Sequence, residues 1–484
     1  MELGGTRRMS DQNQTDVVIL GGGTGGYVAA IRAAQLGKSV VIVEKDKLGG
    51  TCLHRGCIPS KALLRSAEVL ATMKKSETYG IKTSGVELDF GLVQKRKEAI
   101  VEQLHKGVQY LMKKNKIQVV NGTGRLMGAS IFSPRSGSVS VEKPDGEIEV
   151  FVPKQLILAT GSRPKTLPGI ELDGKYILSS DDALKMKQLP KSILIIGGGV
   201  IGVEWASMLN DFGVEVTLIE AAPRLVSTED ADISREFERL LKKRGINVKN
   251  GVTLDLNSIQ IKDESVFVKV QKGQDEAVEL SAEKMLVSIG RSANVEGIGL
   301  ENTNVVVDGG VVRVNKYMQT AESHIYAIGD MIGGLQLAHA ASHEGITAVE
   351  HFNGEHIHPA QTHLIPRCIY TRPEMASVGW TEQQAKELGY EIKTGKFSFK
   401  AIGKALVYGE QDGFVKVIAD VKTDDILGVH MIGPHVTDYI SEAALAQLLN
   451  ATPWEVSQTI HPHPTLTETL AEAMLDVDGR ALSM

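Results

Sequence analysis

Residues 49–61 read GGTCLHRGCIPSK and hold Cys52 and Cys57, two of the three cysteines in a chain of 484 residues. Two thiols at this spacing can cycle between dithiol and disulfide if the backbone brings them together. Positions i and i+5 of a regular helix have Cα atoms roughly 8–9 Å apart, whereas a disulfide needs less than about 7 Å. The pair can therefore close only where the chain leaves helical geometry between the cysteines. Gly56 makes that departure cheap, and Pro59 suits the first turn of a helix starting there. Cys-x4-Cys is not a familiar metal spacing, and no metal site is expected.

A second constellation lies at HPHPTLTETLAEAM, residues 461–474. An imidazole titrates near neutral pH and is the usual group for moving a thiol proton. Two are present, His461 and His463, with Glu468 five residues after the second. The carboxylate can hold an imidazole in one tautomer and stabilise its cation. Two histidines capping a helix that begins around Thr465 is the plainer alternative. Asp330, ending HIYAIGD, stands where parallel-sheet folds bind ligands, or it caps a helix.

Elements that must position these groups appear twice. DVVILGGGTGGYVAAIRAAQLGKSVVIVEK from Asp16 and SILIIGGGVIGVEWASMLNDFGVEVTLIEA from Ser192 match at an offset of 176 residues. Each has a β-branched run, a GxGxxG, an apolar helical pattern and a second strand ending in glutamate. That is the βαβ dinucleotide fingerprint in its full context. Gly21 and Gly197 permit the tight turn, and Gly23 and Gly199 let backbone approach a pyrophosphate. Gly26 and Gly202 let the helix pack with its N-terminus facing the anion. Glu44 and Glu220 suit a ribose diol. A lone GxGxxG could be an ordinary glycine-rich turn, but two matched units point to two dinucleotides. Glu220 would repel a 2′-phosphate, and Ala221 and Ala222 follow it rather than a basic cluster, so NAD is favoured over NADP. Arg224 reads as a surface or capping residue.

The chain is 42% hydrophobic with net charge −6, so it reads as a soluble protein of three or four domains. Nothing favours nucleic acid or a membrane as partner. The polar start with Arg7-Arg8 argues against a signal peptide and suggests an upstream start or added residues ahead of Met9. Few cysteines favour a reducing compartment, and the cytoplasm is expected. The expected fold class is α/β: two Rossmann-like dinucleotide-binding domains plus a C-terminal α+β domain. Residues 1–15 are expected to be disordered or extraneous. Residues 16–161 are expected to hold the first dinucleotide with the redox pair and 162–291 the second, with 292–361 a central domain and 362–484 the α+β domain.

GGGTGG, GGTCLHRGCIPSK, ATGSRP, GGGVIGVE, AIGD and HPHPTLTE occur in this order over nearly the whole length after residue 15. In these the chain resembles the pyridine nucleotide–disulfide oxidoreductases, and among them the dihydrolipoamide dehydrogenases. The resemblance implies that 16–161 is an FAD-binding domain and 162–291 an NAD-binding domain, that the central domain 292–361 returns to FAD, and that 362–484 is the interface or dimerisation domain. It makes Cys52 the thiol that exchanges with substrate and Cys57 the one packed on the flavin. Lys61 and Glu204 become an ion pair near the flavin ring. Asp330 contacts the ribityl chain, and Gly50, Thr51, Gly124 and Ala338 lie along FAD. Gly290 lies near the nicotinamide nucleotide. His463 becomes the base and Glu468 its orienting carboxylate, with His461 supporting, and the base comes from the other subunit of a homodimer. The implied activity is oxidation of protein-bound dihydrolipoamide, with electrons passing through the Cys52–Cys57 disulfide and FAD to NAD. The lipoyl domains of 2-oxo-acid dehydrogenase complexes are the implied partners.

Glutathione reductases would be expected to have VPKK where this chain has IPSK, and mercuric reductases a further C-terminal cysteine pair. A mainly docking role is a reading of another class, which the intact Cys52, Cys57, His463 and Glu468 argue against. Two departures stand out. His54-Arg55 replaces a common asparagine and small or apolar residue, and His54 is expected to face away from the flavin and pack. Ala293 replaces a frequent proline and is expected to be neutral. Cys368 reads as a buried structural residue.

Overall fold

The computed structural model describes residues 14–129 and 135–483. Expectations for the first thirteen residues lie outside the described part. The chain folds into two compact units. One holds the described residues up to Ala62, Lys95–Pro164 and Arg291–Pro359. The other holds Leu63–Gln94, Lys165–Gly290 and the described residues from Ala360 on.

The first unit is built on a seven-stranded sheet. Its centre is β1 (Gln14–Leu20), parallel on one side to β2 (Val40–Glu44) and on the other to Ile148–Leu158. Val17, Val18 and Ile19 are fully buried, as a strand covered on both faces requires. β1 begins two residues before Asp16 because Gln14 and Thr15 pair with Val152 and Pro153. That places two residues of the expected extraneous segment within the sheet. The helix α1 (Thr24–Gln35) returns from β1 to β2 and buries Ala29, Ala30 and Ala33. After β2 come α2 (Gly50–Arg55) and α3 (Cys57–Lys74), then α4 (Phe90–Lys114).

The second unit repeats the parallel arrangement. Its five-stranded sheet runs in the order Asn247–Asn250, Glu215–Glu220, Ser192–Ile196, Lys284–Val287, Ile177–Ser179. The helix Val200–Phe212 makes the crossover. Leu63, Ala67 and Leu70 belong to this unit's core with Ile195, Val203 and Leu286. Residues 63–94 therefore group away from the rest of the expected 16–161 segment. The same unit contains a five-stranded antiparallel sheet from Arg367 to Gly433, followed by helices Val436–Leu448, Pro453–Gln458 and Glu468–Asp476. The architecture is α/β with a C-terminal α+β part. Among the described residues no helix is long and apolar enough to cross a membrane.

Candidate active site

The two cysteines occupy the ends of a broken helix. α2 stops at Arg55, Gly56 takes φ −149° and ψ −115°, and α3 starts afresh at Cys57. Pro59 falls in the first turn of α3. A Cβ on Gly56 would stand 3.1 Å from the Thr51 carbonyl oxygen and 3.5 Å from the Cys52 Cα. A side chain here would have to push the Thr51 carbonyl aside by a few tenths of an ångström. The half-buried thiols of Cys52 and Cys57 hydrogen-bond one another. The Cys57 contact, then burial, push the Cys52 thiol far above its ordinary value, against the opposing pull of Thr24 and Lys61. Two sulfurs sharing one site titrate as a pair, and a proton is held there more tightly than on a lone thiol.

The dithiol turn lies against the first glycine loop. The Gly49 N–H donates to the Gly22 carbonyl at 2.8 Å, and Gly23 bridges Gly49. Gly49 has φ 107° and Gly50 φ 58°, and a Cβ on Gly50 would sit 2.6 Å from the Gly23 Cα. Thr51 follows directly, ahead of Cys52 in α2.

The two loops are copies in atomic detail. A Cβ on Gly21 would meet the Ala159 carbonyl at 2.2 Å, and one on Gly197 the Ser288 carbonyl at 2.5 Å. A Cβ on Gly26 would stand 2.0 Å from the Gly21 oxygen, and one on Gly202 1.8 Å from the Gly197 oxygen. The Glu44 carboxylate accepts from Gly22 N–H at 2.7 Å and Asp46 N–H at 2.8 Å. Glu220 accepts from Gly198 N–H and, at 2.7 Å, from Ala222 N–H. Each glutamate pins its own loop and keeps lone pairs for a diol. Neither crossover helix has a side-chain cap at its N-terminus, which leaves N–H groups and the positive end of the dipole for an anion. A Cβ on Gly199 would meet nothing within 4 Å. Both cradles thus fit a dinucleotide pyrophosphate. Arg224 donates to the carbonyls of Ser227 and Glu229, so its guanidinium is occupied by its own loop and not poised for a 2′-phosphate.

Gly202→Ala is the sharpest test of this geometry. Overpacking against the Gly197 carbonyl should cost ~1–3 kcal/mol. The measurement is urea unfolding beside NADH titration, with both midpoint and affinity expected to fall.

Asp330 does not cap a helix. It sits in a 3-10 turn, Gly329–Ile332, where Ser162 Oγ donates to it and Arg291 Nε stands 3.8 Å away. Glu344 accepts the Gly329 N–H at 2.7 Å and fixes the same turn. Ser162, Arg291 and Glu344 escaped the sequence reading. The ATGSRP and SIGR segments were the available signal, since Ser162–Pro164 and Arg291–Ala293 pair as strands. Ala338 is the first residue of the helix Ala338–Phe352, again without a side-chain cap. Gly124 is packed for a core reason: a Cβ there would lie 2.4 Å from Leu20 Cδ1. Ala293 is buried in the same core.

In the second unit Glu204 is buried and accepts the Tyr370 N–H at 3.0 Å. Gly290 has φ 107° with open space at its Cβ position. His463 Nδ1 lies 2.9 Å from Glu468 Oε1, and Glu468 Oε2 accepts the Thr465 N–H at 2.9 Å. That turn delays the helix to Glu468, three residues later than expected. The imidazole is exposed, with its side chain 77% accessible. Burial raises Glu468, but His463, the Thr465 N–H and His461 outweigh it and hold the carboxyl below its usual value. His461 is different: Nδ1 meets the Thr459 carbonyl and Nε2 the Glu442 carboxylate, both at 2.8 Å. Two acceptors demand two N–H groups, and Glu442 raises the His461 pKa accordingly. Lys61, in α3, belongs with the thiols in the first unit, and Glu204, His463 and Glu468 belong to the second. Among the described residues no cluster could hold a metal ion.

Comparisons with known proteins agree with this geometry. Residues 15–345 match the family described as pyridine nucleotide-disulphide oxidoreductase, and residues 365–474 match its dimerisation domain. A dihydrolipoyl dehydrogenase of Bacillus subtilis is 63% identical, over 96% of this chain and 98% of its own. One from Zymomonas mobilis is 42% identical, over 96% and 98%. Among solved structures, LpdA from Mycobacterium tuberculosis aligns with a TM-score of 0.87 at 25% identity, over 96% of this chain and 99% of that one. The flavoprotein disulfide reductase RclA of Escherichia coli aligns at 0.83 and 25% identity, over 96% and 99%.

Proposed function

The chain belongs to the pyridine nucleotide-disulphide oxidoreductases, and from that membership we propose that it oxidises dihydrolipoamide carried on lipoyl domains of 2-oxo-acid dehydrogenase complexes. The observation that carries the reading is the Cys52–Cys57 pair across a glycine-broken helix, held against the first dinucleotide loop. FAD and NAD are the cofactors, and when bound they would supply a two-electron acceptor for the thiols and a hydride acceptor for the flavin. The first loop, with Gly50, Thr51, Gly124, Asp330 and Ala338, would hold FAD. The second loop, with Glu220 and Gly290, would hold NAD.

In the proposed mechanism His463, oriented by Glu468, takes a proton from one substrate thiol, since only a thiolate attacks a disulfide. The thiolate forms a bond to Cys52 Sγ, the Cys52–Cys57 bond breaks, and Cys57 leaves with the electron pair. The second substrate thiol then gives up its proton as its sulfur attacks the substrate sulfur of the mixed disulfide, closing the lipoamide ring; the bond to Cys52 breaks, and Cys52 leaves with the electron pair and takes up that proton as a thiol. The high Cys52 pKa suits that product. Lys61 and Glu204 would act near the flavin ring, Lys61 offsetting negative charge there.

The proposed assembly is a homodimer in which the base acting on each dithiol is the partner subunit's His463. Leu445 and Leu448 on the helix Val436–Leu448, and Leu449 capping it, are spaced to share one face and are 55–68% exposed, with Trp454 at 56% and Ile460 at 94% nearby in sequence. Such apolar exposure marks an interface. Leu448→Asp is expected to shift the dimer toward monomer in sedimentation, with dihydrolipoamide oxidation falling in parallel. The cytoplasm is the proposed compartment, on the low cysteine count.

The deciding assay gives purified holoenzyme dihydrolipoamide with NAD, and separately NADPH with glutathione disulfide. Turnover of the first pair is expected, and turnover of the second alone would sink the reading.

A further inference from the structure

The mechanism leaves His54, between the two cysteines, without a task, yet the structure gives it a specific contact. His54 Nε2 lies 2.9 Å from the Leu48 carbonyl oxygen. His105 Nδ1, from α4, lies 3.0 Å from the same oxygen. The rings meet edge to face, centroids 5.0 Å apart at 70°. A carbonyl only accepts, so His54 carries its hydrogen on Nε2 and His105 on Nδ1. Burial pushes His54 below its ordinary pKa, with His105 and Lys47 adding to it, against the opposing pull of the Leu48 hydrogen bond first and Asp46 after it. The shift favours the neutral ring, which still donates through Nε2.

Leu48 and Gly49 share one rigid peptide plane. Its carbonyl receives both imidazoles, and its N–H donates to the Gly22 carbonyl at 2.8 Å. α2 has six residues, too few to be stable alone, so anchors set where it puts Cys52. Leu53 is its buried side chain; beside it His54 is one polar anchor, and Arg55, paired with Asp46 at 3.1 Å, is another.

We propose that His54 and His105 are paired positioning residues of the redox centre, tying α2 and α4 to the Leu48–Gly49 peptide so that Cys52 stays apposed to Cys57. The inference rests on the redox role proposed for the two cysteines. Loosening the tie lowers the effective concentration of one thiol for the other, so the disulfide closes less readily.

The test equilibrates holoenzyme in glutathione buffers and quantifies the Cys52–Cys57 disulfide by alkylation and mass spectrometry. His54→Leu and His105→Leu are each expected to shift the equilibrium about tenfold toward the dithiol, ~30 mV. His54→Gln keeps an N–H near the imidazole Nε2 position and His105→Asn one near Nδ1, and both should stay within about twofold of the parent. The double leucine variant should shift no further than the larger single, because either loss cuts the same tie. An unchanged equilibrium in both leucine variants, additive shifts, or glutamine and asparagine variants as displaced as leucine would each overturn the proposal. A lowered melting temperature with unchanged exchange would do the same. Failure of the unsubstituted pair to interconvert would overturn the redox reading itself, and this inference with it.

Discussion

Cys57→Ser should abolish dihydrolipoamide oxidation, lowering kcat by ~10³-fold or more, the scale on which loss of a covalent catalyst is felt. Serine cannot close a bond to Cys52 Sγ, so the substrate thiolate has no disulfide to attack. The shared hydrogen bond is the geometric warrant, because it puts the two sulfurs within reach of one another. The variant should retain NADH oxidation by an artificial acceptor such as ferricyanide, which bypasses the thiols. Loss of both activities would point to a failed cofactor site, and retention of dihydrolipoamide turnover would remove Cys57 from the mechanism. Cys52→Ser should lose the same activity.

His463→Gln is the second large effect, expected to cost 10²–10⁴-fold in turnover, the usual worth of a positioned acid–base group. Glu468→Gln should cost less, because the imidazole remains but loses its orienting charge. The Glu468 carboxyl is held below its ordinary value. A group lowered in this way gives up its ionised form only as pH falls through the folded value. The carboxylate is therefore intact across the range in which an imidazole titrates, and the acid limb of a kcat/KM profile should report histidine. In His463→Gln that limb should disappear, and its persistence would assign the base elsewhere.

The duplicated βαβ unit was legible because its demands are local. The first and third glycines of each motif answer to a carbonyl a few ångströms away, as the Gly26 and Gly202 contacts illustrate. The broken helix at Gly56 was legible for the same reason, since helix geometry forbids the cysteine pair without it. What the sequence hid was long-range. His105 lies 51 residues beyond His54, and only tertiary packing of α4 puts its Nδ1 on the Leu48 carbonyl. Glu344 reaches the Gly329 N–H across a turn that no motif announces. The grouping of 63–94 likewise follows from which core Leu63, Ala67 and Leu70 join, a property of packing rather than of pattern. The helix start after His463 was misplaced by three residues because Glu468 spends an oxygen on the Thr465 N–H. A side chain competing for backbone in this way leaves little trace in hydropathy.

The duplicated loops differ in what stands beside their middle glycine, and release of a ligand is expected to differ with it. Gly23 is backed by the Gly49–Gly50 segment, whereas the space beside Gly199 is open. A molecule seated in the first loop shares its wall with the redox turn, so its release is expected to disturb the thiols. The second loop has no such backing beside its middle glycine, and dialysis of the loaded protein is expected to empty it first.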